Sequence, residues 1–158
     1  GSRNHIMLGG FDGPFFYGNL AGIQNDDQDG SLAWSNIIIA PTVAGDLSGV
    51  DANVDTVRGN IKVNWKINGT NSFFINITIP TGCKAKVKLP LLNDKITEND
   101  VNVLESGKIV WESGGIGYKP GVVSGIDKAK ADSNLAGKFI SLDIQSGEYK
   151  FILHTKTQ

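Results

Sequence analysis

Strict alternation of apolar and polar residues over Arg58–Leu89 constrains the fold of this chain more than any other feature. Three runs alternate in turn, and a period of two places successive side chains on opposite faces of a β-strand. Asn68-Gly69 is a strong hairpin signal, and Pro80-Thr81-Gly82 predicts a second turn. We therefore expect three antiparallel strands with one buried face. The apolar members of that face are Ile61, Val63, Trp65, Ile67, Phe73, Ile75, Ile77, Ile79, Cys83, Ala85, Val87 and Leu89.

A sheet with one apolar face is stable only when a second layer covers that face. The sequence after Leu89 has no long amphipathic helix, so we expect the cover to be another sheet. Phe139–Gln145 and Glu148–His154, separated by Ser146-Gly147, predict a second hairpin. The fold class is therefore predicted as all-β, an antiparallel β-sandwich. Shorter strands are predicted at Asn36–Ala40, Val50–Thr56, Val101–Leu104 and Lys108–Glu112, and Gly114–Gly137 is predicted to be an irregular excursion.

The start of the chain predicts one short helix. Asp12 is a candidate cap and Pro14 suits the first turn. Phe16, Leu20 and Ile23 then follow at i, i+4 and i+7, which is a helical stripe. The aromatic residues of this segment exceed what one face of so short a helix can bury, so we expect part of its surface to face a partner.

A polar, turn-rich run follows the helix and predicts a linker over Asn25–Gly30. The spacing of Asn25, Asp27 and Asp29 resembles the opening of a calcium loop. The position where a bidentate glutamate would close that loop holds Asn36, so we interpret the run as a solvated linker and predict no metal site.

Composition excludes several classes of protein. The chain has 158 residues, which fits one domain with a real core, and its formal charge of −1 gives no electrostatic case for nucleic acid or an anionic membrane. No apolar run is long enough to span a bilayer. The single cysteine, Cys83, excludes an internal disulfide and is interpreted as a small buried hydrophobe.

Catalytic patterns are weak throughout the sequence. The two histidines, His5 and His154, lie at opposite ends, and no nucleophile elbow of the G-x-S-x-G type is present. Hydrolysis of a glycosidic bond needs two carboxyl groups, one of them in surroundings that raise its pKa. The acidic residues lie in turn-rich settings and are interpreted as surface charge, and no cofactor is predicted. The candidates considered are Glu98, Glu105, Glu112, Glu148 and the loop aspartates.

The tryptophans could form a platform on which a sugar ring stacks. Trp65 shares the apolar face of its strand, so we predict that it lies in the core. Trp34 and Trp111 remain open as exposed platform residues of a carbohydrate-binding module.

Short motifs in a fixed order resemble the bacterial α-L-rhamnosidases. Ser2–His5 is similar to the S-x-N-H motif near the end of that family's catalytic domain, and Leu20–Ile23 to the L-A-G-I string that ends the following helix. Ile37–Pro41 resembles the first strand after the catalytic barrel. Arg58–Trp65 and Ile79–Pro90 resemble two later strands. The similarity is clear from Ser2 to Pro90 and weak from Leu91 to Gly137.

This resemblance implies a domain organisation and a function. In that family an (α/α)6 barrel removes terminal α-L-rhamnose with inversion, and a jelly-roll-like β-sandwich follows it. Residues 1–23 would be the residual end of the barrel, and residues 24–158 the C-terminal accessory sandwich. His5 matches the family's sugar-contacting histidine, which makes it the predicted substrate-binding residue. The family's catalytic carboxylates lie upstream of this motif, so we expect no catalytic residue here and no activity from this chain alone.

The resemblance also implies partners. They are an upstream catalytic barrel of the same parent chain and, through that parent, a rhamnose-containing glycan. The surplus aromatic surface near Phe16 would face the barrel, or a second copy of this chain in a homodimer. A secreted or periplasmic parent is expected. A carbohydrate-binding module and a structural sandwich unrelated to sugar chemistry are the competing hypotheses.

Overall fold

The computed structural model describes residues 16–27, 32–135 and 137–156. Within these residues the chain forms one helical turn, Phe16–Leu20, and otherwise strands and loops. In chain order the strands are β1 (Ile23–Asn25), β2 (Asn36–Ile39), β3 (Gly49–Thr56), β4 (Gly59–Asn68), β5 (Ser72–Pro90), β6 (Val101–Glu105), β7 (Lys108–Glu112), β8 (Gly117–Tyr118), β9 (Ile126–Asn134) and β10 (Gly137–Thr155).

The alternating runs form strands with the predicted inner face. β3 and β4 pair antiparallel, and β4 pairs with the first half of β5 through the turn at Asn68-Gly69. Ile61, Val63 and Trp65 are fully buried, whereas Lys62 and Asn64 between them are exposed. The all-β fold is confirmed. One pairing, between β2 and β5, is parallel.

Two predicted turns are wrong, because the chain continues through both of them as strand. Pro80-Thr81-Gly82 lies inside β5, and Ser146-Gly147 lies inside β10. The two halves of β10 do not pair with each other. Both halves pair with β5, with Gln145 opposite Lys84 and Gly147 opposite Ile79. Proline and glycine here mark an irregularity shared by two neighbouring strands.

That irregularity lets β5 and β10 pass from one layer of the sandwich to the other. Between the paired positions, β5 has four residues, Pro80 to Cys83, where β10 has only Ser146. A bulge of this kind bends both strands and makes a corner between two sheets. One sheet has the order β3-β4-β5-β10-β6-β7-β8 and contains the first half of β5. The other sheet has the order β1-β2-β5-β10-β9 and contains the second half of β5.

Both layers contribute to one core. The first half of β5 buries Phe73 and Ile75, and its second half buries Val87 and Leu89 in the same cluster. The Trp65 and Phe73 rings stack in this core with their centroids 5.6 Å apart.

The excursion predicted at Gly114–Gly137 is in part regular. Its second half is the strand β9, which pairs with the first half of β10 at the edge of a sheet. Ala129 and Ala131 pack against the core, while Lys128, Lys130 and Asp132 are exposed. Small, weakly apolar side chains on the inner face hid the alternation that a larger residue would have shown.

The predicted helix ends earlier than its apolar stripe suggested, and its predicted start at Asp12 and Pro14 lies outside the described residues. Helical structure covers Phe16–Leu20, closed by the Ala21 amide donating to the Phe16 carbonyl over 2.9 Å. Ile23, predicted on the helix, instead begins β1 and pairs with Ile39. The predicted domain boundary after residue 23 therefore falls within β1. No helix among the described residues is long and apolar enough to cross a membrane.

The segment after the helical turn is fixed to the sandwich at two points. The Trp65 indole nitrogen donates a hydrogen bond to the Leu20 carbonyl over 2.8 Å, and Ala21 is fully buried. Gly22 has a φ of 77°, and a Cβ at this position would lie 2.1 Å from the Ala40 carbonyl carbon. Glycine is therefore required where the chain enters β1.

Candidate functional site

The principal groove among the described residues lies where the helical turn meets β1 and β3. It has a volume of about 640 Å³ and is open to solvent. That volume falls in the range of about 300–1,000 Å³ typical of small-molecule sites. Its walls combine two aromatic rings with amide, carboxylate and aliphatic side chains. The lining residues are Tyr17, Gly18, Ile23, Gln24, Asn25, Trp34, Asn53, Val54 and Asp55.

Trp34 is held in the groove by a strained backbone. Ala33 has a φ of 49° and Trp34 a φ of 66°, in the left-handed region that residues with a Cβ rarely adopt. The Arg58 side chain donates to the Ala33 carbonyl over 2.7 Å and to the Leu32 carbonyl over 3.2 Å. The Trp34 amide donates to the Asn25 side-chain oxygen over 3.0 Å. These three bonds fix a conformation that the loop would not adopt unaided.

The polar side chains of the groove are also oriented by their neighbours. Asp55 accepts a hydrogen bond from the Asn60 amide over 2.7 Å. The Gln24 amide donates to the Gly18 carbonyl over 2.7 Å, and the Asn25 amide donates to the Asp27 carboxylate. Asn53 and Asp55 lie at alternating exposed positions of β3. The groove therefore presents amide and carboxylate groups in set orientations.

Of the tryptophans left open by the sequence, only Trp34 lines a groove. Trp111 is 8% exposed, and its indole nitrogen donates to the Glu98 carbonyl over 3.0 Å. Trp65 is 1% exposed, as predicted. The Trp111 side chain is therefore part of the core.

His154, the histidine that lies among the described residues, does not form a catalytic arrangement with any of them. His5 lies outside the described residues, so its predicted contact with sugar remains a prediction. His154 is exposed and its Nδ1 lies 2.8 Å from the Ser72 hydroxyl. Its strand is not at a sheet edge, because this part of β10 pairs with β5 on one side and with β6 on the other.

One acidic residue departs from the predicted surface role. Glu105 is 7% exposed, and its carboxylate accepts hydrogen bonds from the Ser106 hydroxyl over 2.7 Å and the Lys150 amide over 3.4 Å. These bonds close the β6–β7 turn against β10, which is a structural role. Glu112 forms an ion pair with Lys119 over 2.9 Å.

A second groove of about 450 Å³ carries charges of both signs on the outer face of the β1–β9 sheet. Its lysines and aspartates alternate across neighbouring strands, as on a solvated surface. Asp127 accepts a hydrogen bond from the Gln145 amide, which ties β9 to β10. The charged residues are Asp26, Lys84, Lys86, Asp127, Lys128 and Asp143.

No metal site is formed by the described residues, where no cluster of three or more His, Cys, Asp or Glu side chains occurs. The calcium-like run is described only in part, because Asp29 and Gly30 lie outside the described residues. Within this run, the Asn25 side-chain oxygen already accepts a hydrogen bond from the Trp34 amide. Cys83 is 2% exposed; burial raises the pKa of its thiol, and the Arg58 guanidinium partly offsets that rise.

Sequence reasoning singled out Trp34 but missed the residues around it. Asn53 and Asp55 carried one usable signal, which is that they alternate with the inward residues of β3. No sequence pattern predicted that Tyr17 and Arg58 lie near Trp34, since each is far from Trp34 along the chain.

The chain matches a family model described as the bacterial alpha-L-rhamnosidase C-terminal domain. The match covers residues 22–103, just over half of the chain. No curated protein sequence matches this chain.

Solved structures of α-L-rhamnosidases resemble this chain in fold. The enzyme from Dictyoglumus thermophilum has 28% identity and a TM-score of 0.72, with 98% of this chain covered and 14% of the enzyme. The enzyme from Streptomyces avermitilis, solved with L-rhamnose, has 18% identity and a TM-score of 0.61, covering 89% of this chain and 10% of the enzyme. The enzyme from Aspergillus terreus has 16% identity and a TM-score of 0.50, covering 89% of this chain and 11% of the enzyme. This chain thus spans only about a seventh or less of each of these enzymes, and the last two likenesses concern the fold alone.

Proposed function

Because this chain belongs to the family of bacterial α-L-rhamnosidase C-terminal domains, we propose that it braces the catalytic barrel of a longer enzyme that removes terminal α-L-rhamnose. The bracing role is non-catalytic. It requires a rigid joint between the sandwich and the chain that leads into it.

The hydrogen bond between Trp65 and Leu20 carries this proposal. Trp65 is fixed in the core by burial and by stacking on Phe73, so its indole holds the Leu20 carbonyl in one place. Ala21 is buried beside this bond, and Gly22 packs against the backbone at Ala40. A helix ending at Leu20 would therefore transmit its position to both sheets without a flexible linker.

We assign residues 1–23 to the end of the barrel and residues 24–158 to the sandwich. Phe16 is 55% exposed, which is surface that neighbouring barrel helices would cover. In the absence of a barrel, a second copy of this chain could cover the same surface. The joint residues Leu20–Ile23 would then be the last residues of the barrel along the chain, although they pack against the sandwich.

The site residues follow from the same assignment. His5 would contact the bound sugar in the longer enzyme, and the acid and base carboxylates would come from upstream. The glycan is therefore a ligand of the parent, and the parent is expected to be secreted or periplasmic. This chain alone would not hydrolyse the glycosidic bond, because that reaction needs both carboxyl groups in position.

The test is an assay with a chromogenic α-L-rhamnoside on this chain and on a longer chain that restores an upstream barrel. The longer chain should be active and this chain inactive. In the longer chain His5→Ala should lower activity with folding intact, whereas the matched control His154→Ala, on the exposed face of β10, should not. Activity in the isolated chain, or an inactive but folded longer chain, would refute the proposal.

A carbohydrate-binding module is the second candidate, and one observation favours it. Trp34 lines a groove, as a platform residue would. This possibility concerns a separate site from the joint at Leu20.

A further inference from the structure

The groove beside Trp34 combines features that bracing does not require. Its floor and walls come from the helical turn, β1 and β3, and its volume of about 640 Å³ accommodates a monosaccharide or a disaccharide. The hydrogen bond that fixes the N-terminal segment joins Trp65 and Leu20, and neither of these residues lines this groove, although Ile23 of the joint does.

Backbone strain at Ala33 and Trp34 is the first observation that points to a ligand. The left-handed conformation is unfavourable for a residue with a Cβ and persists only where its surroundings impose it. Here Arg58 and Asn25 impose it on two successive residues. Strain maintained in this way is concentrated at binding and catalytic sites. Its effect is to direct a large aromatic side chain to the groove.

The chemistry of the lining is the second observation. Trp34 and Tyr17 supply aromatic surface, and Ile23 and Val54 supply aliphatic surface. Asn53 and Gln24 can donate and accept hydrogen bonds, and the Asp55 carboxylate can accept them. Among the described residues, the lining contains a carboxylate and no lysine or arginine, which disfavours an anionic ligand. A neutral ligand with hydroxyl groups along one edge and C–H groups along the other fits this combination.

The orientation of the polar groups is the third observation. The bond from Asn60 fixes the Asp55 carboxylate, and the bond to Gly18 fixes the Gln24 amide. Groups held before binding lose little conformational entropy on binding, which favours a small ligand of modest contact area.

We propose that this groove binds a neutral 6-deoxyhexose unit of a glycan, with Trp34 and Tyr17 against the ring and methyl group and Asn53 and Asp55 on the hydroxyls. This site goes beyond the bracing role and takes from it only the sugar class on which the parent would act. It would hold the glycan where the N-terminal segment meets the sandwich, at a site separate from the catalytic carboxylates.

The experiment is an NMR titration of the isotope-labelled 158-residue chain with methyl α-L-rhamnoside. Saturable shifts are expected for the Trp34 indole N–H and the Asn53 amide, and not for the buried Trp65 and Trp111 indoles. Trp34→Ala should weaken binding at least about tenfold. Asn53→Ala, which leaves the strained loop intact, should weaken it several-fold.

Phe74→Ala is the matched control, because it removes a half-buried aromatic ring from the outer face of β5, away from the groove. It should leave the affinity unchanged. No saturable shift in the unchanged chain, equal binding by Trp34→Ala, or shifts centred on Phe74 would each overturn the proposal. Because this titration uses the isolated chain, it can fail while the longer chain remains an active rhamnosidase, and the reverse also holds.

Discussion

The indole nitrogen of Trp65 donates a hydrogen bond to the carbonyl oxygen of Leu20 over 2.8 Å, joining residues 45 positions apart. Trp65 lies in the middle of β4, and Leu20 is the last residue of the helical turn. One side chain thus belongs to the core and also fixes the segment that enters the sandwich. The stability of the core and the position of the N-terminal segment should therefore be linked.

Trp65→Phe should test this link. Phenylalanine keeps an aromatic ring beside Phe73 but leaves a small cavity and an unpaired Leu20 carbonyl. We expect the free energy of unfolding to fall by about 2–3 kcal/mol in denaturant titrations. Hydrogen exchange at the Ala21 amide should also accelerate by more than the global loss of stability explains.

Trp111→Phe is the matched control for that variant. Trp111 also donates its indole N–H to a carbonyl, that of Glu98, but at a different place in the fold. This variant should lose a similar amount of free energy of unfolding. Hydrogen exchange at the Ala21 amide should accelerate only as much as that global loss of stability explains. Equal acceleration of exchange at Ala21 in the two variants would mean that Trp65 does not specifically fix the N-terminal segment.

Gly22→Ala and Gly82→Ala separate crowding from backbone conformation. Both glycines have a φ of 77°, but a Cβ at Gly22 would meet the Ala40 carbonyl carbon at 2.1 Å, whereas one at Gly82 would meet no atom within 4 Å. Gly82→Ala should lower the free energy of unfolding by about 1–2 kcal/mol. Gly22→Ala should lower it by at least about 3 kcal/mol, since backbone must also move. Equal losses in thermal or denaturant unfolding would show that the entry to β1 is not tightly packed.

Tyr149 should make stability depend on alkaline pH. Its hydroxyl donates to the Gly125 and Gln145 carbonyls, each at 3.2 Å. Burial, with the nearby carboxylates of Glu105 and Asp127, raises its pKa above the ordinary value of 10.0. A raised folded-state pKa gives stability that is fully present below pH 10.0 and is lost as pH rises through the folded-state pKa.

Tyr149→Phe should therefore be less stable than the unchanged chain by about 1–2 kcal/mol below that pH. The difference should shrink as pH rises above it, which denaturant titrations over a pH series would measure. Tyr17→Phe, at a 45% exposed position, should stay within about 0.5 kcal/mol of the unchanged chain. A Tyr149→Phe difference that is constant with pH would contradict the predicted role of burial.

Sequence pattern predicted the inner faces of the strands well, because burial of Ile61, Val63 and Trp65 depends on a period of two that can be counted directly. It failed at Pro80–Gly82 and Ser146-Gly147, which have the composition of turns. Whether such residues reverse the chain or bend it depends on the neighbouring strand. Here β5 and β10 bend together, and no local pattern records that pairing.

The groove was predictable only in part for a related reason. Trp34 could be identified as a tryptophan in a polar stretch, without a strand pattern to place it in the core. Its positive φ is supported by the hydrogen bonds from Arg58 to the Ala33 and Leu32 carbonyls, and the β3–β4 turn brings Arg58 to that position. Glu105 was wrongly placed at the surface, because its burial arises from packing of the β6–β7 turn against β10.

The most direct measurement compares two forms of the longer chain that restores the barrel, one ending at residue 158 and one ending at residue 23. Both keep His5 and the upstream carboxylates, so both retain every residue assigned to the catalytic site of the barrel. Rhamnosidase activity should be lost, or its temperature of inactivation should fall sharply, in the form without the sandwich, because Leu20 would have no Trp65 to hold it. Equal activity and equal thermal stability of the two forms would contradict the bracing role.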